Sequence, residues 1–172
     1  MMRQENRLSV DRRGSAAVEM AIVLPFLLVL LFGSMDLGYY FLSEHVVDKA
    51  VRDAARYASR LPASKYNCAG PSVDATATQQ IQRVARFGDP SGAGTARLAG
   101  WTADSLATVT LVCDNDTSKS YVNKGLYTDF PDGVPIVTVS AAVPYPTLFH
   151  LIGLGTMTLT LNGQSQAAVF GA

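Results

Sequence analysis

The residues best placed to do chemistry stand where the longest apolar run of the chain begins. Residues 12–19 read RRGSAAVE, and the uncharged run Met20–Met35 follows directly. A carboxylate such as Glu19 is costly in hydrocarbon and usually needs a cationic partner. If the chain is cut after Gly14, the new α-amine of Ser15 is positive near neutral pH and can pair with Glu19 of a neighbouring copy, which would fix the register between packed helices. The alternative is that Glu19 lies at the headgroup boundary, where its cost is small.

The two cysteines, Cys68 and Cys113, both follow the apolar run. If that run spans a membrane with its N-terminus inside, they lie in a compartment where disulfides persist. Two cysteines allow one intrachain pairing, which here would close a loop of about 45 residues and contribute about 4 kcal/mol in the chain-entropy model. We therefore predict a Cys68–Cys113 disulfide. The alternative is two unrelated buried thiols.

The other reactive side chains form no catalytic or metal-binding pattern. His45 and His150 are far apart in sequence and fit neither H-E-x-x-H nor a zinc-binding Cys/His spacing, and G-x-S-x-G is absent. Asp114–Asp116 lacks the glycine and glutamate of a calcium loop. The 14 basic residues balance 14 acidic ones and do not cluster beside aromatics, so no nucleic-acid partner is indicated. The sequence predicts a protein without enzymatic activity, cofactor or metal.

The apolar run is long enough to cross a bilayer. A spanning helix needs roughly 20 apolar residues, and we expect residues 15–36 to supply them. Residues 1–14 carry a net positive charge, and such an excess beside a span favours the cytoplasmic side. We therefore expect a cytoplasmic leader, a span, and an outer domain. The alternative is a cleaved secretory signal peptide that ends near Gly33 and Ser34.

The helical pattern continues past the apolar run, because no helix breaker stands between Gly38 and Pro62. We predict one helix from about Ser15 to Arg60, of which residues 37–60 form an amphipathic stalk. Its apolar positions recur at three- and four-residue steps: Val47, Ala50, Val51, Ala54, Ala58 and Leu61.

Residues 61–172 predict a small α+β domain that packs on this stalk. Hydrophobic residues make up 48% of the chain and charged residues 16%, which excludes disorder as its main state. The predicted second helix is Asp74–Phe87, with Ile81, Val84 and Ala85 inward. The flanking segments Leu61–Pro71, Asp89–Gly100 and Asp114–Gly133 are predicted as loop or linker.

Alternation of β-branched residues predicts an antiparallel sheet of three or four strands. We expect a tight turn at Asn162-Gly163 to separate the last two strands. The predicted strands are Leu106–Cys113, Val134–Val143, Thr156–Leu161 and Gln166–Phe170. The predicted fold class is thus α+β, with a long N-terminal transmembrane and stalk helix packed against a short helix and this sheet. Thr147–Gly155 is apolar but too short to span, and it is expected either in the core or against the membrane.

The N-terminal sequence also resembles a known family. RRGSAAVEMAIVLPFLLVLLFGSMDLGYYF, followed by VVDKAVRDAARYASR, is similar to the TadE-like pseudopilins of tight-adherence (Tad, type IVb) pilus systems. Gly14, Glu19, Pro25, Gly33 and residues 54–58 carry the resemblance, which is strong over Arg12–Arg60 and looser over Val134–Phe170.

This resemblance implies a pilin-like subunit that is cut between Gly14 and Ser15 by a prepilin peptidase. Pro25 would then let the helix bend or melt when it leaves the lipid for a filament. The implied partners are other minor pseudopilins, the major pilin, the pilus assembly platform, the peptidase and membrane lipid. The implied location is the bacterial inner membrane with a periplasmic domain, or the extracellular pilus. The main alternative is a single-pass sensor or scaffold whose periplasmic domain binds a protein or ligand; an anchored hydrolase is a third class.

Overall fold

The computed structural model describes residues 15–116, 118–120, 124–128, 130, 132–147 and 159–171. The leader 1–14, including Gly14, lies outside the described residues, as does most of the apolar segment Thr147–Gly155. The chain divides into two units, Met1–Gly38 and Tyr39–Ala172.

The long predicted helix is confirmed as α1, Ser15–Ser59, with Pro25 inside it. Residues 16–32 of α1, in the first unit, are all exposed. Within the described part of the chain, α1 is the one helix long and apolar enough to cross a membrane.

In the second unit, the apolar stripe of α1 is buried as the spacing predicts. Its valines and alanines at positions 47, 50, 51, 54 and 58 are completely shielded from solvent, whereas Leu61, beyond the helix end, is half-buried. Each of these five positions lies three or four residues from another of them, so they share one helix face. That face belongs to the core of the domain.

The core sheet has three antiparallel strands in the order β3-β4-β5: β3 is Ala107–Asp114, β4 is Val134–Tyr145 and β5 is Leu159–Ala168. This confirms the predicted antiparallel α+β fold. Alternate residues of β4 point to one face, and these are buried in one cluster with the α1 stripe. They are Val137, Val139, Ala141, Val143 and Tyr145.

The predicted turn at Asn162-Gly163 is wrong, because both residues lie inside the continuous strand β5. Gly163 pairs with Ala141 of β4. A Cβ at Gly163 would lie 3.0 Å from Cγ1 of Val47 and 3.2 Å from Oδ1 of Asp48. Gly163 therefore lacks a side chain because β5 approaches α1 closely at this position, and not because the chain reverses there. The separate strand predicted over Gln166–Phe170 is instead the end of β5 and the residues after it.

The segment predicted as the loop Leu61–Pro71 contains structure of its own. A small antiparallel pair forms from β1, Tyr66–Asn67, and β2, Ser72–Val73. The Asn67 side-chain oxygen accepts hydrogen bonds from the backbone N–H groups of Ala69 and Gly70, at 3.0 and 3.3 Å. Such a turn depends on a side chain that bonds nearby backbone, which apolar periodicity does not reveal.

The second helix, α2, spans Ala75–Phe87 and confirms the prediction. The Asp74 carboxylate caps its first turn by accepting from the N–H groups of Thr76 and Ala77. These hydrogen bonds, that from Ala77 foremost, lower the pKa of Asp74 below its usual value. Gly88 ends the helix with a φ of +83°, the left-handed conformation that glycine adopts without steric cost.

Candidate functional site

The apolar segment of α1, residues Met20–Met35, presents an exposed apolar surface. The large apolar side chains in it are between 41 and 68% exposed. Monomeric soluble proteins rarely expose a continuous apolar surface of this size, and such surfaces mark protein or membrane contacts. Burying it requires lipid or other apolar helices around it.

Ser15 and Glu19 stand at the start of this segment. Ser15 is the first described residue of α1, and Glu19 is exposed one position before the apolar segment. Residues four apart in a helix share a face and lie about 6 Å apart along the axis. The α-amine that cleavage would create at Ser15 would therefore stand one helical turn from Glu19. The proposed cleavage itself depends on Gly14, which lies outside the described residues.

Pro25 lies within the apolar segment, and α1 continues on both sides of it. Proline has no N–H to donate to the preceding turn, so one backbone hydrogen bond of the helix is missing there. The bending or local melting expected at Pro25 stays a prediction.

Cys68 and Cys113 are joined in a disulfide, with Cα atoms 5.7 Å apart. Cys68 follows β1, and Cys113 is the last residue but one of β3. The bond therefore links the segment after α1 to the core sheet. Among the residues predicted from sequence, these two are brought together, whereas Ser15, Glu19 and Pro25 belong to the other unit.

Tyr66 is a structural residue that the sequence did not single out. Its hydroxyl donates a 2.5 Å hydrogen bond to the carbonyl of Ala58, in the last turn of α1. Burial of this hydroxyl raises the pKa of Tyr66, and the neighbouring Tyr57 adds to the effect. A tyrosine inside a predicted loop gives no signal that it will reach back to the helix.

The residues after β5 also form backbone hydrogen bonds near the end of α1. The N–H of Phe170 donates to the carbonyl of Ser59 at 3.0 Å, and the N–H of Ala63 donates to Gly171 at 3.2 Å. A helix ends with carbonyls that lack partners within the helix, and the bond from Phe170 satisfies one of them, the carbonyl of Ser59. The stalk therefore ends fixed to the sheet domain at several independent points.

Among the described residues there is no cluster of metal ligands, and one cleft lacks ionisable side chains. They contain no group of three or more His, Cys, Asp or Glu side chains that could hold a metal ion. A cleft at the sheet is lined by Leu106, Thr108, Ser140, Ala141, Ala142, Asn162, Gly163 and Gln164. The Thr, Ser, Asn and Gln side chains among them can donate and accept hydrogen bonds, but the lining supplies no ionisable group for proton transfer.

Residues 14–56 match the family model of TadE-like proteins. The N-terminal segment is TadE-like. The match begins at Gly14, includes the whole apolar segment and ends at Arg56 in the stalk, which is about a quarter of the 172-residue chain. The resemblance noted in the sequence is thereby confirmed for this segment. No curated protein and no solved structure gives a significant match to the chain.

Proposed function

We propose that this protein is a structural minor pseudopilin of a Tad (type IVb) pilus. The observation that carries the proposal is the TadE-like segment itself: a helix whose apolar side chains are exposed on every side from residue 16 to residue 32. A surface of that kind is stable in lipid, or among similar helices packed side by side. A pilus subunit uses both environments, first the membrane and then the filament.

Processing and register are the next steps of the proposal. A prepilin peptidase would remove residues 1–14, which leaves Ser15 as the amino terminus and Glu19 as the fifth residue. The positive α-amine of one subunit would then pair with Glu19 of its neighbour. An ion pair in a low-dielectric surrounding is costly to break once formed, so the pairing would define one axial register rather than several.

The proposed topology puts the leader in the cytoplasm and the second unit in the periplasm of a bacterium. The α1 helix would be held in the inner membrane until assembly. The partners would be other minor pseudopilins, the major pilin and the assembly platform. The disulfide agrees with a periplasmic domain, because disulfides persist in oxidising compartments.

The register step is tested with Glu19→Gln, which removes the charge at nearly constant shape. Glu44→Gln is the matched control, since Glu44 belongs to the stalk portion of the same helix. Membrane fractionation, co-purification with other pseudopilins and counting of surface fibres are measured for both variants. We expect the Glu19 variant to insert normally but assemble poorly, and the Glu44 variant to behave as wild type.

Normal fibre assembly by the Glu19 variant would remove the register step. If the protein is monomeric in the membrane and its deletion leaves surface fibres unchanged, a single-pass sensor or scaffold is favoured. That result would overturn the pilus role as a whole.

A further inference from the structure

An aromatic cluster joins the first residues of the second unit to the end of β4. The ring of Tyr145, on β4, lies 6.0 Å from the ring of Tyr39 and 5.3 Å from that of Tyr40, the latter edge-to-face. Phe41 packs edge-to-face on Tyr40 at 5.9 Å. Pro146, the next residue of the chain after Tyr145, is exposed. We call Tyr39, Tyr40, Phe41 and Tyr145 the aromatic cluster.

The cluster combines exposed aromatic residues with the polar hydroxyl groups of its tyrosines. Tyr39 is 57% exposed and Phe41 is 52% exposed, whereas Tyr145, which contacts Tyr39 and Tyr40, is buried. Side chains with an apolar ring and a polar tip are favoured at the boundary between hydrocarbon and water, where each end finds its preferred surroundings. The composition of the cluster therefore fits a lipid headgroup layer better than open water.

The position of the cluster along the chain fits the same layer. From Ala16 to Met35 the helix rises about 30 Å, the thickness of a hydrocarbon core. Tyr40 follows Met35 by five residues, a stretch of chain that reaches at most about 18 Å, and a headgroup layer is about 5–8 Å thick on each side. Chain connectivity therefore keeps Tyr40 within reach of the headgroup layer if residues 16–35 fill the hydrocarbon core. Because the rings of Tyr40 and Tyr145 are in contact, the end of β4 is within reach of that layer too.

We propose that the sheet domain contacts the lipid headgroup layer through this cluster, so that the protein has a second membrane contact besides its spanning helix. This inference rests on the proposed membrane insertion of α1. The contact would hold the helix at one depth, and it would have to be released when the subunit leaves the membrane for a filament. The partner is a lipid surface, and it is recognised through interfacial aromatic rings rather than through a headgroup-specific pocket.

The test measures the depth of single tryptophans introduced into the full-length protein in phosphatidylcholine vesicles. Pro146→Trp reports on the sheet side of the cluster. Val112→Trp is the matched control: Val112 is 60% exposed and pairs with Ile136, nine residues along β4 from Tyr145, or about 30 Å away. Val29→Trp reports on insertion of the helix. The native Trp101 is completely buried and gives the same background in every variant.

Lipids brominated near the headgroup quench tryptophans in their layer, and iodide quenches those in water. We expect bromolipid to reduce the Pro146→Trp emission and iodide to leave it nearly unchanged, with the reverse for Val112→Trp. In one contrary outcome, only iodide quenches Pro146→Trp, whereas lipids brominated deep in their acyl chains quench Val29→Trp. This outcome would overturn the second membrane contact but would leave the proposed insertion of α1 intact. If no lipid quenches Val29→Trp, the proposed insertion of α1 fails and the second contact fails with it.

Discussion

Loss of the Cys68–Cys113 disulfide should remove a large part of the stability of the sheet domain. The bonded residues are separated by 45 positions. In the chain-entropy model, a loop of that length restricts the unfolded chain by about 13 cal/mol/K, which is about 4 kcal/mol at 25 °C. Single domains are stable by about 5–15 kcal/mol. The double variant Cys68→Ala/Cys113→Ala should therefore lose between a quarter and most of the stability of the domain.

Urea unfolding of the full chain in detergent micelles measures this loss, with Trp101 as the reporter. Trp101 is completely buried in the domain core, so its emission changes when the core opens. With a denaturant slope of about 2 kcal/mol per molar urea, 4 kcal/mol corresponds to a fall of about 2 M in the midpoint. Cys68 and Cys113 are half-buried, so truncation to alanine adds little cavity cost of its own.

Wild-type protein treated with a reductant is the matched control, and its midpoint should fall to that of the untreated double variant. The double variant should not respond to the reductant. Equal midpoints for the oxidised wild type and the double variant would refute the reasoning. So would two free thiols in wild-type protein isolated without reductant, because the bond would then be absent from the native molecule.

Two further changes test contacts between α1 and its domain. Gly163→Ala puts a Cβ 3.0 Å from Cγ1 of Val47, so we expect a loss of about 1–2 kcal/mol in urea unfolding; Gly70→Ala, whose Cβ meets nothing within 4 Å, should be nearly neutral, and equal losses would contradict the close approach. Tyr66→Phe removes the hydrogen bond to Ala58 and should cost about 1 kcal/mol near pH 7. Because burial raises the pKa of Tyr66, its stabilising contribution is complete below the usual tyrosine value of about 10 and is lost as the pH rises above it. The difference in midpoint between wild type and Tyr66→Phe should shrink in alkali, and a constant difference would show that the hydroxyl is not buried.

The helices could be predicted from sequence because their signals are local. A charge-free run, an apolar stripe at helical spacing and the absence of a breaker before Pro62 were enough to define α1 to within a residue at its end. For α2, Asp74 and Gly88 mark the two ends through hydrogen bonds and backbone conformation that involve only neighbouring residues.

The errors in the sheet come from contacts between residues far apart in sequence. Asn162-Gly163 has the composition of a tight turn. The reason for its glycine lies instead in Val47 and Asp48, more than a hundred residues earlier. Nothing in residues 155–170 indicates that a helix passes so close to the strand. The hydrogen bond from Tyr66 to Ala58 escaped prediction because the sequence marked its donor as part of a loop.

The candidate site also has one part that the sequence predicts and one part that depends on contacts between residues far apart in the chain. The apolar segment and the residues that carry the TadE-like match are contiguous, so the sequence was sufficient to find them. The aromatic cluster combines two parts of the chain, Tyr39–Phe41 and Tyr145, which come together through packing of the sheet on the helix. The sequence offered no spacing rule that would join them.

The intact mass of the protein extracted from its native membrane tests the central claim most directly. We predict a molecule that lacks residues 1–14 and begins at Ser15, and a full-length molecule when the prepilin peptidase is deleted or Gly14 is changed to Arg. A native protein that retains its first fourteen residues in the presence of the peptidase would contradict the account, because Glu19 would then have no α-amine of a neighbour to pair with.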